Sequence, residues 1–329
     1  MKKAVKGFLE NKAKTMPILS FPSAQLTGVS VNEIVTSSAS QKEGMKKIVE
    51  RCPVAVSLSM MDLSVEAEAF GAKIAFSKGE IPTVTEGVIS DICDAEGIEV
   101  PSIDAGRCPV YTEAVRLAKA EIESTPVFCG VIGPYSLAGR LFDMTELMME
   151  CFESPDEVKV LLDKATEFII KYIKAFKEAG ADGVVMAEPA AGLLSPDLND
   201  EFSIPFVKRI IDEVTDESFV FCYHNCGDNV VKMAESIGGL GADIYHFGNA
   251  IDMADIIPLM PKDCIVMGNV NPVLFRSGTK EEIENAVQAL FDKCGKFDNF
   301  MISSGCDIPY DASWENIDTY FEKVKMLYV

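Results

Sequence analysis

The chain has few basic residues and few histidines for its length. Among 329 residues, 30 are Lys or Arg and 51 are Asp or Glu, which gives a formal net charge of −21. A surface of this sign repels phosphate backbones and anionic lipids, so neither nucleic acid nor a membrane is an expected partner. Histidine occurs only as His224 and His246. Each of the two therefore carries information about a site.

Long apolar runs are also missing. No stretch reaches the roughly 18 apolar residues of a membrane helix, and the N-terminal segment lacks the apolar run and cleavage site of a secretory signal. We therefore expect a cytoplasmic protein whose 10 cysteines stay reduced, as core residues or metal ligands. The glycine fingerprints GxGxxG and GxxxxGK[ST] do not occur, so no nucleotide cofactor is expected.

Short apolar runs recur along the chain, each followed by a turn and a segment of helical periodicity. This alternation predicts a parallel α/β sheet, and eight such units predict a closed (β/α)8 TIM barrel, with an open doubly wound sheet as the alternative. The predicted strands are Met16–Phe21, Pro53–Ser59, Pro126–Ile132, Gly183–Glu188, Ser218–His224, Ala242–Phe247, Cys264–Asn269 and Phe300–Ser304.

A long excursion between the second and third predicted strands interrupts the alternation. It contains a predicted hairpin around Lys73–Val84 and a predicted helix around Cys108–Ile122. In a barrel it must be an elaborated loop at one face, an insertion over residues 71–125. Because no low-complexity linker divides the chain, we expect one barrel domain spanning residues 1–329.

Residues suited to chemistry stand at two predicted strand ends. His224 and Cys226 close the fifth strand two positions apart, so their side chains point to the same side of an extended chain. Cys306 follows the eighth strand, and all strands of a barrel end at one mouth. One imidazole and two thiolates suit Zn²⁺, and three protein ligands leave a position open for substrate. The sequence thus predicts a catalytic zinc site; the alternative is a core histidine with two small apolar cysteines.

With these residues in view, the chain resembles the uroporphyrinogen decarboxylase superfamily, and within it the methylcobamide:coenzyme M methyltransferase branch. The resemblance implies the same barrel, a zinc cofactor, and transfer of a methyl group from a methylated corrinoid, such as methylcobalamin or a corrinoid protein, to a thiol such as coenzyme M. The matching segments are Met60–Ala72, Gly133–Phe142, Ser154–Pro196, His224–Asp228, Gly268–Val273 and Ser303–Ile317. The His-x-Cys pair with a later cysteine separates the methyltransferases from the decarboxylases.

Two other activities stay open at this point: tetrapyrrole decarboxylation and methyl transfer to tetrahydrofolate. The decarboxylases of the family carry an arginine-rich motif soon after the first strand, whereas residues 21–28 contain no arginine here. Asp62 matches the decarboxylases' catalytic aspartate in position. It could equally cap the helix that follows.

The fourth zinc ligand is also open. Some thiol methyltransferases of this branch take an acidic ligand from the end of the sixth strand, where this chain has Tyr245–Asn249. His246 or Glu188 could ligate instead, although His246 could equally be a core residue and Glu188 could equally bind a helix end. We keep Asp62 and Glu188 as candidate catalytic residues. The segment Gly133–Arg140 and the insertion are expected to form the docking surface for the corrinoid.

Overall fold

The structure, a computed structural model, describes Gly7 and residues 15–328. The strands are β1 (Ser57–Leu58), β2 (Lys73–Ser77), β3 (Glu80–Glu86), β4 (Val127–Ile132), β5 (Gly183–Ala187), β6 (Val220–Asn225), β7 (Ile244–Phe247), β8 (Ile265–Val270) and β9 (Phe300–Ser304). Seven of them form a central parallel sheet in the order β1-β4-β5-β6-β7-β8-β9, and β2 and β3 form a separate antiparallel hairpin.

Helices follow the strands and cover the outside of the sheet. Short 3₁₀ turns lie at Ile92–Gly97, Ala190–Leu193 and Ile257–Leu259. The α-helices are α1 (Ser23–Thr27), α2 (Val31–Val35), α3 (Ser38–Arg51), α4 (Val65–Ala69), α5 (Cys108–Glu121), α6 (Pro134–Leu141), α7 (Met144–Glu153), α8 (Pro155–Glu178), α9 (Pro196–Phe202), α10 (Ile204–Val214), α11 (Ala234–Gly238), α12 (Met253–Ile256), α13 (Pro272–Ser277), α14 (Lys280–Cys294) and α15 (Trp314–Leu327).

The predicted closure into a barrel of eight regular strands is not shown: the first predicted strand forms no regular ladder, and the second, Pro53–Ser59, is reduced to the two residues of β1. Residues 16–20 pair in no regular ladder, and Thr15 alone bridges β9 at Ile302. Pro17 has no N–H to donate, and its neighbours use serine hydroxyls instead: Ser303 Oγ donates to the Met16 carbonyl and Ser304 Oγ accepts from Ile18. The architecture is therefore a seven-stranded parallel half-barrel with this segment beside β9.

The inserted segment confirms two predicted elements. The hairpin consists of β2 and β3, and the helix is α5. The hairpin turn approaches the loop after β9, because a Cβ at Gly79 would lie 2.9 Å from the Tyr310 hydroxyl oxygen. Among the described residues, no helix is both long and apolar enough to cross a membrane.

Two apolar layers follow from the alternation of side chains along the strands. In β5, Val184 and Met186 pack into the large cluster beneath the helices, whereas Val185 and Ala187 pack into a smaller cluster on the inner face of the sheet. The same alternation puts Cys222 of β6 and Ile244 of β7 on the inner face. The residues two positions further along these strands, His224 and His246, therefore point to the inner face as well.

Candidate metal centre

The two histidines lie side by side at the carboxyl end of the sheet. His224 follows Cys222 by two residues and His246 follows Ile244 by two, so both continue the inner face of their strands. The register of β6 with β7 pairs His224 directly with His246. On β9 the same alternation carries Ser303 inward, two residues after Met301. Strand pairing alone thus builds a polar layer above the inner apolar cluster.

The structure brings the three predicted metal ligands together. The ligand atoms of His224, Cys226 and Cys306 all lie within 4.8 Å of one another. The Cys306 sulfur is 3.7 Å from Nε2 of His224. His224 is buried, and the two cysteines are partly exposed. The donors therefore converge where a substrate can reach the sulfurs.

A tight turn after β6 presents Cys226. The Asn225 side chain accepts a hydrogen bond from the Gly227 amide at 2.9 Å and donates one to the Tyr223 hydroxyl at 3.1 Å. Neighbouring backbones press against this turn: a Cβ at Gly227 would lie 2.4 Å from Gly192 Cα, and a Cβ at Gly248 would lie 2.5 Å from Cys226 Cβ. Only residues without a Cβ fit these two positions.

A hydrogen bond links the two sulfurs and shifts the pKa values of their thiols apart. The hydrogen bond from Cys306 lowers the pKa of the Cys226 thiol to about 7, against the opposing effect of burial. The same hydrogen bond, together with burial, raises the pKa of Cys306 to about 12. The pair thus loses its first proton more easily than an ordinary thiol and its second less easily. A thiolate is available at Cys226 near pH 7, and thiolate is the form that binds metals.

His246 is fully buried, and both of its ring nitrogens have protein partners. Its Nδ1 lies 2.6 Å from Nδ1 of His224, and its Nε2 lies 2.9 Å from the Ser303 hydroxyl. Burial, reinforced by His224, holds the pKa of His246 well below its ordinary value, so the ring is neutral. His246 does not belong to the group of converging donors.

Glu188 lies just beyond the end of β5, and its carboxylate contacts the first turn of α6. One oxygen accepts from the Ser136 amide at 2.7 Å and the Ser136 hydroxyl at 2.5 Å, and the other accepts from the Tyr135 amide at 3.0 Å. Burial raises the pKa of Glu188 to about 7 despite these donors. Glu188 also stands outside the donor group, and its contacts match the interpretation in which it binds a helix end.

Asp62 is buried in a network of its own. One oxygen accepts from the amide and hydroxyl of Ser64, at 3.0 and 2.6 Å. The other accepts from Arg107 at 2.5 Å and from the Tyr111 hydroxyl at 2.8 Å. Sequence reasoning missed Arg107 and Tyr111, which the insertion supplies. Both oxygens of Asp62 are occupied by protein donors.

The donor set fits a zinc ion. Two sulfurs and one imidazole nitrogen converge at one place, and zinc is commonly bound by three such protein ligands with a fourth position left for substrate. The imidazole also has a hydrogen-bonding partner on its other nitrogen, as metal-bound histidines almost always do. The alternative of a core histidine beside two unrelated apolar cysteines does not account for this convergence.

Known proteins with similar sequences include both methyltransferases and decarboxylases. The methylcobamide:CoM methyltransferase MtbA of Methanosarcina mazei is 28% identical over 236 residues, which cover 70% of this chain and 69% of that protein. Uroporphyrinogen decarboxylase 2, chloroplastic, of Arabidopsis thaliana is 28% identical over 224 residues, which cover 65% of this chain and 56% of that protein. Overall identity does not separate the two activities.

Solved structures and family profiles agree on the fold. A methyltransferase from Methanosarcina mazei superposes with a TM-score of 0.87 at 24% identity, over 99% of this chain and 99% of that chain. The profile of the family described as uroporphyrinogen decarboxylase (URO-D) matches residues 15–327. The match covers the sheet, its helices and all three converging donors. The chain therefore belongs to the uroporphyrinogen decarboxylase family.

Proposed function

We propose that this protein is a zinc-dependent methyltransferase that moves a methyl group from a methylated corrinoid, carried on a partner protein in the cytoplasm, to a small thiol such as coenzyme M. The observation that carries the proposal is the convergence of His224, Cys226 and Cys306 within 4.8 Å. Relatives such as MtbA are named methylcobamide:CoM methyltransferases, which supports methyl transfer as the reaction.

His224, Cys226 and Cys306 would hold the zinc ion. When bound, the ion would supply the positive charge that keeps an acceptor sulfur deprotonated near neutral pH. The two cysteines contribute negative charge next to the acceptor, which keeps its sulfur electron-rich. The lowered pKa of Cys226 means that one of these two thiolates is available near pH 7 before a metal binds.

The proposed transfer is a displacement at the methyl carbon. The acceptor thiol loses its proton to solvent, and its sulfur attacks the methyl group from the side opposite cobalt. The sulfur–carbon bond forms as the cobalt–carbon bond breaks. The electron pair of the broken bond stays on the corrinoid, which leaves as Co(I), so no external oxidant or reductant is needed.

We place the docking surface for the corrinoid protein at the carboxyl end of the sheet, on the segments that follow the strands. Exposed apolar side chains stand on three segments that follow strands: Phe76 in the hairpin after β1, Leu193 after β5 and Val273 after β8, which are 41%, 55% and 56% exposed. Single exposed apolar side chains are normal on a protein surface, so the relevant feature of these three is their position after strands of the parallel sheet. We propose on this ground that the insertion, which supplies Phe76, takes part in docking.

Tetrapyrrole decarboxylation is the alternative that the decarboxylase relatives raise. The contacts of Asp62 argue against it, because both carboxylate oxygens already accept hydrogen bonds from Arg107, Tyr111 and Ser64. Residues 21–28 also supply no arginine for substrate carboxylates. We propose that Asp62 and Glu188 serve the reaction by holding the walls of the mouth, through Arg107 and through the start of α6.

The test is a methyl-transfer assay that follows loss of the methyl–cobalt absorbance of methylcobalamin. We expect transfer to a small thiol, none to tetrahydrofolate and no decarboxylation of uroporphyrinogen. A chelator and the Cys306→Ala variant should each abolish transfer. Cys222→Ala is the matched control, because it removes a buried thiol from the strand of His224 but outside the donor group. Transfer that survives complete zinc removal would refute the mechanism.

A further inference from the structure

A chain of hydrogen bonds runs from the N-terminal segment to the proposed metal site. The Ser303 hydroxyl contacts the Met16 carbonyl at 2.7 Å and Nε2 of His246 at 2.9 Å. Nδ1 of His246 in turn contacts Nδ1 of His224 at 2.6 Å. All three polar side chains are buried, so water cannot exchange freely with these contacts.

The position of each proton in this chain follows from which groups can donate. A carbonyl oxygen only accepts, so the single hydroxyl proton of Ser303 points to Met16. Nε2 of His246 must therefore donate to the Ser303 oxygen. A neutral imidazole carries one N–H, so Nδ1 of His246 has a free lone pair.

The lone pair of His246 then determines the tautomer of His224. Nδ1 of His224 must carry the proton that lies between the two rings. A second contact requires the same assignment independently, because Nδ1 of His224 also lies 3.2 Å from the His246 carbonyl oxygen, which only accepts. Nε2 of His224 is left unprotonated, and it is the nitrogen 3.7 Å from the Cys306 sulfur.

We propose that Ser303 and His246 are positioning residues for the metal site, and that His246 is not the fourth ligand: together they hold His224 in the tautomer whose Nε2 can bind a metal. The effect on metal binding rests on the proposed zinc site. The proton positions themselves are a property of the metal-free protein. The fourth position is then left to the acceptor thiol.

The first test reads the tautomers directly. The chain contains only two histidines, so the metal-free, tag-free protein labelled with ¹⁵N-histidine gives two imidazoles in a long-range ¹H–¹⁵N spectrum. We expect one Nδ1–H ring, His224, and one Nε2–H ring, His246. The His246→Asn variant assigns the signals. A wild-type His224 protonated on Nε2 would overturn the proposal.

The second test measures zinc affinity by competition with a chromophoric chelator. Removing a partner of a metal-bound histidine typically lowers metal affinity tenfold to hundredfold, and we expect this loss in His246→Leu and in the milder Ser303→Ala. His246→Asn should recover most of the affinity, because its side-chain oxygen can accept from Nδ1 of His224. A role in packing alone predicts no such recovery.

Ser304→Ala is the matched control. It removes the neighbouring buried hydroxyl of β9, which accepts from the Ile18 amide, but it does not touch His246 through its side chain. Its zinc affinity should equal that of the wild type. Equal losses in Ser303→Ala and Ser304→Ala, or unchanged affinity in both His246→Leu and Ser303→Ala, would overturn the proposal. A failure of the zinc proposal would be visible separately, as a wild-type protein with the expected tautomers that binds no zinc.

Discussion

Replacing Glu66 with glutamine tests whether a carboxyl group in α4 is neutral in the folded protein. Glu66 is buried, one oxygen accepts from the Ile132 amide at 2.9 Å, and the other has no hydrogen-bond partner among the residues that the structure describes. Burial raises the pKa of Glu66 from the ordinary 4.5 to about 7, an effect that Asp62 reinforces and Arg140 opposes. The folded chain therefore keeps a proton that the unfolded chain loses.

The sign and size of the effect follow from this difference. Between pH 4.5 and 7 the folded state binds more protons than the unfolded state, so the contribution of Glu66 to stability falls as pH rises through this window. The full loss, reached above pH 7, is about 3 kcal/mol, since each pH unit between the two pKa values corresponds to about 1.4 kcal/mol. Glutamine has no such charge. Relative to the wild type, Glu66→Gln should gain about 2 kcal/mol of stability between pH 5 and pH 8.

The assay is urea unfolding of both proteins at pH 5, 6, 7 and 8. Glu188→Gln is the matched control, because burial also raises the pKa of Glu188 to about 7. The stability of Glu188→Gln should change with pH in the same way as that of Glu66→Gln. Its stability should be lower at every pH, because a glutamine amide cannot accept from both Tyr135 and Ser136, and an unpaired buried N–H costs about 1–3 kcal/mol. A stability difference between wild type and Glu66→Gln that does not change with pH would refute the reasoning.

Three further outcomes are expected. Metal analysis should find about one zinc per wild-type chain and little in Cys226→Ala or Cys306→Ala, with far-UV circular dichroism unchanged. In the metal-free protein, iodoacetamide at pH 7 should modify Cys226 faster than the exposed Cys93, because Asp91 raises the pKa of Cys93. Cys306→Ala should slow the reaction at Cys226, and peptide mass spectrometry measures both rates. Asp62→Ala should lower the free energy of unfolding, as urea denaturation measures, because it removes one of the two carboxylates that pair with the buried Arg107. The loss should stay below the about 3–5 kcal/mol of a fully unpaired buried charge, because Glu68 still contacts Arg107.

Strand positions were largely predictable from the sequence, because buried parallel strands are short apolar runs whatever they pack against. Six predicted strands, from the third to the eighth, match β4 to β9 within two residues at each end. The first predicted strand, Met16–Phe21, is buried throughout but does not form a strand. An apolar run indicates burial, but a strand also needs backbone hydrogen bonds to its neighbour. Here Pro17 lacks an N–H, and the backbone groups of Met16 and Ile18 bond to serine hydroxyls of β9 instead of to its backbone.

The donor set was predictable for a similar reason. His224 and Cys226 are close in sequence at a strand end, and the parallel topology carries Cys306 to the same edge. The residues that support them were not predicted, because their partners are distant in sequence. One sequence feature could have indicated that Ser303 faces the site: it lies two residues after the inward-facing Met301. The contact of Asp62 with Arg107 has no such feature, because it depends on how the insertion folds back.

The glycines around Cys226 set a limit on redesign of the enzyme. A side chain at Gly192, Gly227 or Gly248 would collide with the turn that presents the sulfur, so libraries that vary these positions will consist mostly of proteins with a displaced ligand. Diversity aimed at a new partner protein belongs instead on the exposed rim, at positions such as Leu193 and Val273. Variation there would change the proposed docking surface without adding a side chain inside the turn of Cys226.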